Sequence, residues 1–139
     1  MDLRRLLLAV AGAFAVIVTC DVAIHHVWLG DFYRANAQWW RPAEQMEAMR
    51  GLMFMSQILL AALLVFIYMK GYEPGKGSLG QGFRFGVLMG LLLAIRSSLI
   101  DAVVYPYPVS LILSVMAGTL IEVTLAGIMI GYIYKKPAK

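Results

Sequence analysis

Most side chains in this sequence are apolar, so the few that could do chemistry stand out. Asp21, His25 and His26 close an apolar run in the stretch TCDVAIHHVW, and Gln57, Arg96, Asp101 and Glu122 interrupt three further runs. Carboxylates beside an imidazole can hold or pass a proton and can bind a cation. An arginine among them would neutralise the acids. His25 and His26, with Met46, Met49 and Met53 nearby in sequence, also make a soft set that would suit copper(I). A zinc site wants three or four ligands, and only Asp101 or Glu47 is on offer to complete one. A lone cysteine, Cys20, allows no internal disulfide and no CxxC redox pair.

What these groups can do depends on the medium around them. The chain has 139 residues, of which 61% are hydrophobic and 14% charged, with mean hydropathy +0.76. Soluble domains sit near about 45–50% apolar and about 25% charged. The apolar surplus falls in four runs, 5–29, 46–69, 81–104 and 109–134, and runs of about 20 residues read as membrane spans. The expectation is an all-α integral membrane protein, one four-transmembrane-helix bundle over residues 1–139. Arg4 and Arg5 ahead of the first run resemble the start of a signal peptide, but the run is too long for one and is expected to stay as a span.

Lysine and arginine set the orientation. Arg4, Arg5, Lys70, Lys76, Arg84, Lys135, Lys136 and Lys139 fall on one side of a four-span topology; Arg34, Arg41 and Arg50 fall on the other. Both termini are therefore expected in the cytoplasm. The net charge of +4 follows from this asymmetry and from contact with anionic lipid head groups, and it gives no argument for nucleic acid. Trp28, Trp39 and Trp40 mark the outer interface. Residues 31–45 form an outer segment expected to lie on the bilayer surface and to be partly helical, with Pro42 and Glu44 starting the second span.

A rise of about 1.5 Å per residue converts position to depth. Counted from the cytoplasmic boundary, Asp21, Gln57, Arg96 and Glu122 come out at roughly 15–22 Å, and His25, His26 and Asp101 at roughly 27–30 Å. Buried charges in a bilayer pair with one another, so Arg96 is expected to bridge Asp21, Glu122 or both. The cluster fits two readings. In one it is a structural lock that holds the helices in register; in the other it lines a cavity for an ion, a proton or a small polar solute. His25, i+4 from Asp21, is expected at the mouth of that core with Asp101 at similar height. His26, on another face, is expected at the head groups.

Small residues say how the helices pack. Gly82, Gly86, Gly90 and Ala94 recur every four residues, as do Ser110, Ser114 and Gly118. These rows let backbones approach closely, which makes the third and fourth spans an antiparallel hairpin. Gly127 and Gly131 could serve the bundle or a homodimer.

Trp28-Leu29-Gly30-Asp31-Phe32-Tyr33, a WxGxx[FY] pattern at the exit of the first span, resembles the matching segment of a family of small four-helix bacterial inner-membrane proteins grouped as a domain of unknown function. Trp39-Trp40 and the later GLLLAI, YPVSLIL and LAGIMIGYIY segments are similar in layout. The segment between the tryptophans is longer here, and His25-His26 is not a family feature. The resemblance implies a fold and a bacterial inner-membrane location, and it supplies no activity.

The expected function is binding or carrying a small solute, proton or ion in the polar core. The alternative is a structural or accessory subunit of a larger membrane complex. Outer-side copper binding and a membrane-embedded enzyme acting on a lipid-like substrate are weaker readings, because no nucleophile constellation is visible. No cofactor is implied. The partners are the bilayer and either a second copy or a larger complex.

Overall fold

Each apolar run becomes a helix, and the breaks fall where the sequence withdraws helix support. The computed structural model describes residues 3–134; Lys135, Lys136 and Lys139, counted above for orientation, lie outside them. Helix α1 (Leu3–Asp21) continues into a π-helical turn, Val22–Trp28. Then come α2 (Gly30–Ala35), a 3-10 turn at Ala37–Trp39, and α3 (Ala43–Ala48). Three long helices follow: α4 (Arg50–Gly71), α5 (Ser78–Val104) and α6 (Val109–Ile133). The described residues contain no strand. Four helices, counting α1 with its π turn, are long and apolar enough to cross a membrane.

The start of the second span differs from expectation. Pro42 does precede a helix, but that helix is the short α3. The chain breaks at Met49 (φ −100°, ψ 6°) before α4 begins. Residues 31–45 are partly helical, as expected: α2, the 3-10 turn and the start of α3.

α1 neighbours both α4 and α6, and α5 packs along α6. Ala9, Ala13 and Ile17 of α1 supply a narrow, fully covered stripe that meets Ala61, Leu64 and Val65 of α4 and Val123, Ala126 and Ile130 of α6. Alanine at every fourth place lets the neighbours close on α1 from two sides.

The α5–α6 hairpin is closer still. Gly82, Gly86, Gly90, Ala94 and Ser98 form the buried face of α5. A Cβ added at Gly86 would stand 2.7 Å from the Cα of Thr124 and 2.8 Å from its carbonyl oxygen, closer than carbon tolerates. The α6 row that meets α5 is Thr124, Gly127 and Gly131, so the second glycine pair serves the bundle. Gly118, expected to face α5, packs instead on Ile24 of the π turn. Ser110 is exposed.

The two ends are closed differently. Pro106 and Pro108 force the extended link between α5 and α6. At the opposite end, the loop after α4 is tied by Gln81. Its Oε1 accepts from the Glu73 amide at 2.9 Å, and its Nε2 donates to the carbonyls of Glu73 and Lys76, each at 3.0 Å. Gly75 takes φ +89° within that loop, a conformation open to glycine.

Candidate functional site

Asp21 is the last α-helical residue of α1, and the backbone widens directly after it. The Leu29 amide donates to the Ile24 carbonyl at 2.8 Å, a step of five residues rather than four. Such π turns cost hydrogen-bond geometry and recur at functional sites. Here the turn carries both histidines and keeps Ile24 inward against Gly118.

Three of the expected polar residues meet at Asp21. The side-chain amide of Gln57, on α4, donates to Asp21 Oδ2. Glu122, on α6 and only 8% exposed, faces Asp21 as well. A hydrogen bond between two carboxyl groups needs a proton on one of them, because two carboxylates offer only acceptors. A proton shared by the pair would join α1 to α6, and Gln57 supplies the next donor from α4.

His25 continues the chain outward. Its Nε2 lies 3.8 Å from Asp21 Oδ1, an ion-pair rather than a hydrogen-bond distance. Its Nδ1 lies 2.8 Å from the Tyr33 hydroxyl on α2, with the two rings stacked at 5.9 Å. With the proton on Nε2, Nδ1 accepts from Tyr33. Burial and the neighbouring Tyr107 push the Tyr33 phenol above its ordinary value, which favours the neutral donor.

Two clefts open around His25. The first, of about 490 Å³, lies between the π turn and α4 and is walled by Asp21, His25, His26, Gln57, Arg50 and Met53. Arg50 is also paired with Glu47. The second, of about 350 Å³, has Tyr33, Trp40, Tyr105 and Tyr107 on one side and His25, Ser98 and Asp101 on the other. Glu122 borders neither cleft and sits behind Asp21.

Arg96 is the main departure from expectation. It is exposed, and among the described residues it makes no ion pair with Asp21, Glu122 or any other acid. The cause is angular. Gly90, Ala94 and Ser98 turn toward α6, and a residue two places from Ala94 and Ser98 points to the far side of the helix. Register adds to this: with Gly86 against Thr124 and Gly90 against Leu120, Arg96 stands about two turns from the level of Glu122.

The other candidates divide in the same way. Asp101 stands at the mouth, but in the second cleft rather than beside Asp21. His26 is exposed, yet it also borders the first cleft, since the π turn swings it closer to α4 than an α-helix would. Met53 reaches that cleft. Met46 and Met49 are exposed and do not, because the break at Met49 interrupts their common face. Among the described residues, no three His, Cys, Asp or Glu side chains gather as a metal site. Spacing gave no hint of Tyr33 as a histidine partner, nor of the π turn. Comparisons with protein-family models, curated proteins and solved structures found no match to this chain.

Proposed function

We propose that this chain is a multi-pass protein of a bacterial inner membrane, both termini cytoplasmic, that binds and carries a small cation in exchange for a proton. The observation that carries this reading is the Asp21–Glu122 carboxyl pair at the head of the 490 Å³ cleft, two acids close enough to share one proton. A cation reaching Asp21 from the cleft takes the negative charge that the proton now neutralises, and the proton leaves. His25, 3.8 Å away, is placed to accept that proton and hand it to solvent. Gln57 holds Asp21 in place through the exchange. The WLGDFY resemblance and the Lys/Arg asymmetry support the location and the orientation.

The test is proton movement in liposomes that carry the purified protein and a trapped pH dye. Gradients of sodium, potassium and methylammonium are imposed one at a time. At least one is expected to drive counter-movement of protons, abolished in Asp21→Asn and in Glu122→Gln. No coupled proton movement with any of the three would refute the reading.

Arg96 favours a second reading, an accessory subunit of a larger complex. A guanidinium at that depth facing lipid is costly, and an acidic side chain on a neighbouring protein would offset it. In that case the protein extracted in mild detergent runs as a large assembly, and Arg96→Leu reduces it to the free chain.

A further inference from the structure

The second cleft has its own chemistry, and only His25 is common to both. We propose that it binds a small organic ammonium group, with the positive charge set against Asp101 and the alkyl groups resting on the Trp40–Tyr107 aromatic wall. This inference does not depend on the carrier reading.

The wall is built from contacts that fix ring positions. Trp40 and Tyr107 lie 5.4 Å apart at 31°, and Tyr105 stacks on Tyr107 at 5.0 Å and 17°. Tyr33 meets Trp40 edge-on at 5.1 Å and 84°. Pro106 and Pro108 stiffen the link that carries both tyrosines, so the surface is set before a ligand arrives. Aromatic faces attract cations, and tryptophan does so most strongly.

Charge selects the sign of the ligand. At this end of the bundle Asp31 is paired with Arg34 and Glu47 with Arg50. The Asp101 carboxylate has no hydrogen bond or ion pair among the described residues, and neither lysine nor arginine borders its cleft. Asp101 is also close enough to Tyr107 that its charge, after burial and Tyr105, helps push the Tyr107 phenol above its ordinary value. The carboxylate and the aromatic wall therefore face the same space.

Competing ligands fit less well. An anion would meet Asp101. A bare metal ion would find one carboxylate and one imidazole, too few for a stable site. An acyl chain would cover the carboxylate without satisfying it. An alkylammonium meets both walls at once, and a cleft of 350 Å³ takes a head of a few heavy atoms. Such a head comes either free in solution or on a phospholipid.

The experiment uses the full-length protein in detergent, with tetramethylammonium and ethylammonium as probes and acetate as the anionic control. Binding is read by tryptophan fluorescence and by calorimetry. Saturable binding of an ammonium ion is expected, weakened about tenfold or more in Asp101→Asn. Tyr107→Leu weakens it several-fold while Tyr107→Phe, which keeps the ring face, does not. Glu73→Gln, in the loop at the opposite end of the bundle, leaves the affinity unchanged. Thermal melts check that each variant is folded. Nanodiscs of phosphatidylglycerol, with and without phosphatidylethanolamine, separate the two sources. A lower apparent affinity with phosphatidylethanolamine assigns the lipid head group, and an unchanged one assigns the free ion; both support the site. No saturable ammonium binding, equal affinity in folded Asp101→Asn, or preferential binding of acetate would overturn it.

Discussion

His25 Nδ1 stands 2.8 Å from the Tyr33 hydroxyl, and this contact ties the π turn to α2. It orients the imidazole so that Nε2 faces Asp21. Removing the hydroxyl leaves the ring free to swing between the two clefts. Tyr33→Phe is expected to cost about 0.5–1.5 kcal/mol, read as a lower unfolding midpoint in detergent. The nitrogen shifts of His25 by NMR should move at the same time, whereas those of His26 should not.

Asp21 and Gln57 join α1 to α4 through one side-chain hydrogen bond. Gln57→Leu removes the donor and leaves the carboxyl pair a partner short. Interhelical hydrogen bonds in membrane proteins average about 0.6 kcal/mol and reach about 1.7. A double-mutant cycle of Gln57→Leu and Asp21→Leu is expected to give a coupling energy in that range. A coupling near zero would mean that the bond contributes nothing to holding α1 on α4.

The four long helices, the glycine face of α5 and the shared level of Asp21, Gln57 and Glu122 were legible in the sequence because each follows from a local count. Run length gives a span, spacing by four gives a face, and rise per residue gives a height. What was not legible required knowing which face meets which helix. Arg96 was counted level with Glu122, but Gly86 meets Thr124 and Gly90 meets Leu120, which leaves Arg96 about two turns further along, and the small residues that carry α5 onto α6 lie on its opposite side. Gly118 was assigned to α5 and belongs to Ile24 for the same reason. The π turn had no signature, since VAIHHVW is apolar and histidine-rich without a breaker. Tyr33 could not be foreseen either. It reaches His25 only because α2 folds back beside that turn.

Gly86 gives the hairpin its own test. With Thr124 backbone atoms 2.7–2.8 Å from any added Cβ, Gly86→Ala must push the α5 and α6 backbones apart rather than displace a flexible side chain. The expected cost is about 1–3 kcal/mol, with larger losses for leucine. Gly80, on the same helix, has nothing within 4 Å of an added Cβ. Gly80→Ala should be neutral or stabilising by about 0.4–1 kcal/mol. Equal losses at both positions would show that helix propensity, not close approach, governs the effect.

The tyrosines of the second cleft set an alkaline limit. Tyr33 and Tyr107 both lie above the ordinary phenol value of 10.0, pushed there first by burial. The folded chain therefore keeps these protons when the unfolded chain has begun to lose them. That contribution is complete below 10.0 and disappears as pH rises through the folded values. Stability measured from pH 8 upward should fall beyond about 10, and the fall should be shallower in Tyr107→Phe. Ultraviolet titration of tyrosinate should lose a late-titrating component in the same variant. An unchanged titration curve would place Tyr107 in open solvent.

The proposed orientation rests on charge and has its own test. Lys70 and Lys76 lie at the loop end of the bundle, together with Arg84 early in α5, while Arg34, Arg41 and Arg50 lie at the end that carries α2 and α3. With Arg4 and Arg5 at the start of α1, the expected topology puts the larger basic share on the loop side, which the positive-inside tendency assigns to the cytoplasm. Single cysteines introduced as Lys76→Cys and Gln38→Cys, in a Cys20→Ala background, read this directly. Both native positions are exposed, so neither label is limited by burial. With intact cells and a membrane-impermeant maleimide, position 38 should react at once and position 76 only after the membrane is opened. The reverse pattern would invert the topology and turn both clefts toward the cytoplasm. Reaction at both positions in intact cells would rule out the four-span arrangement itself.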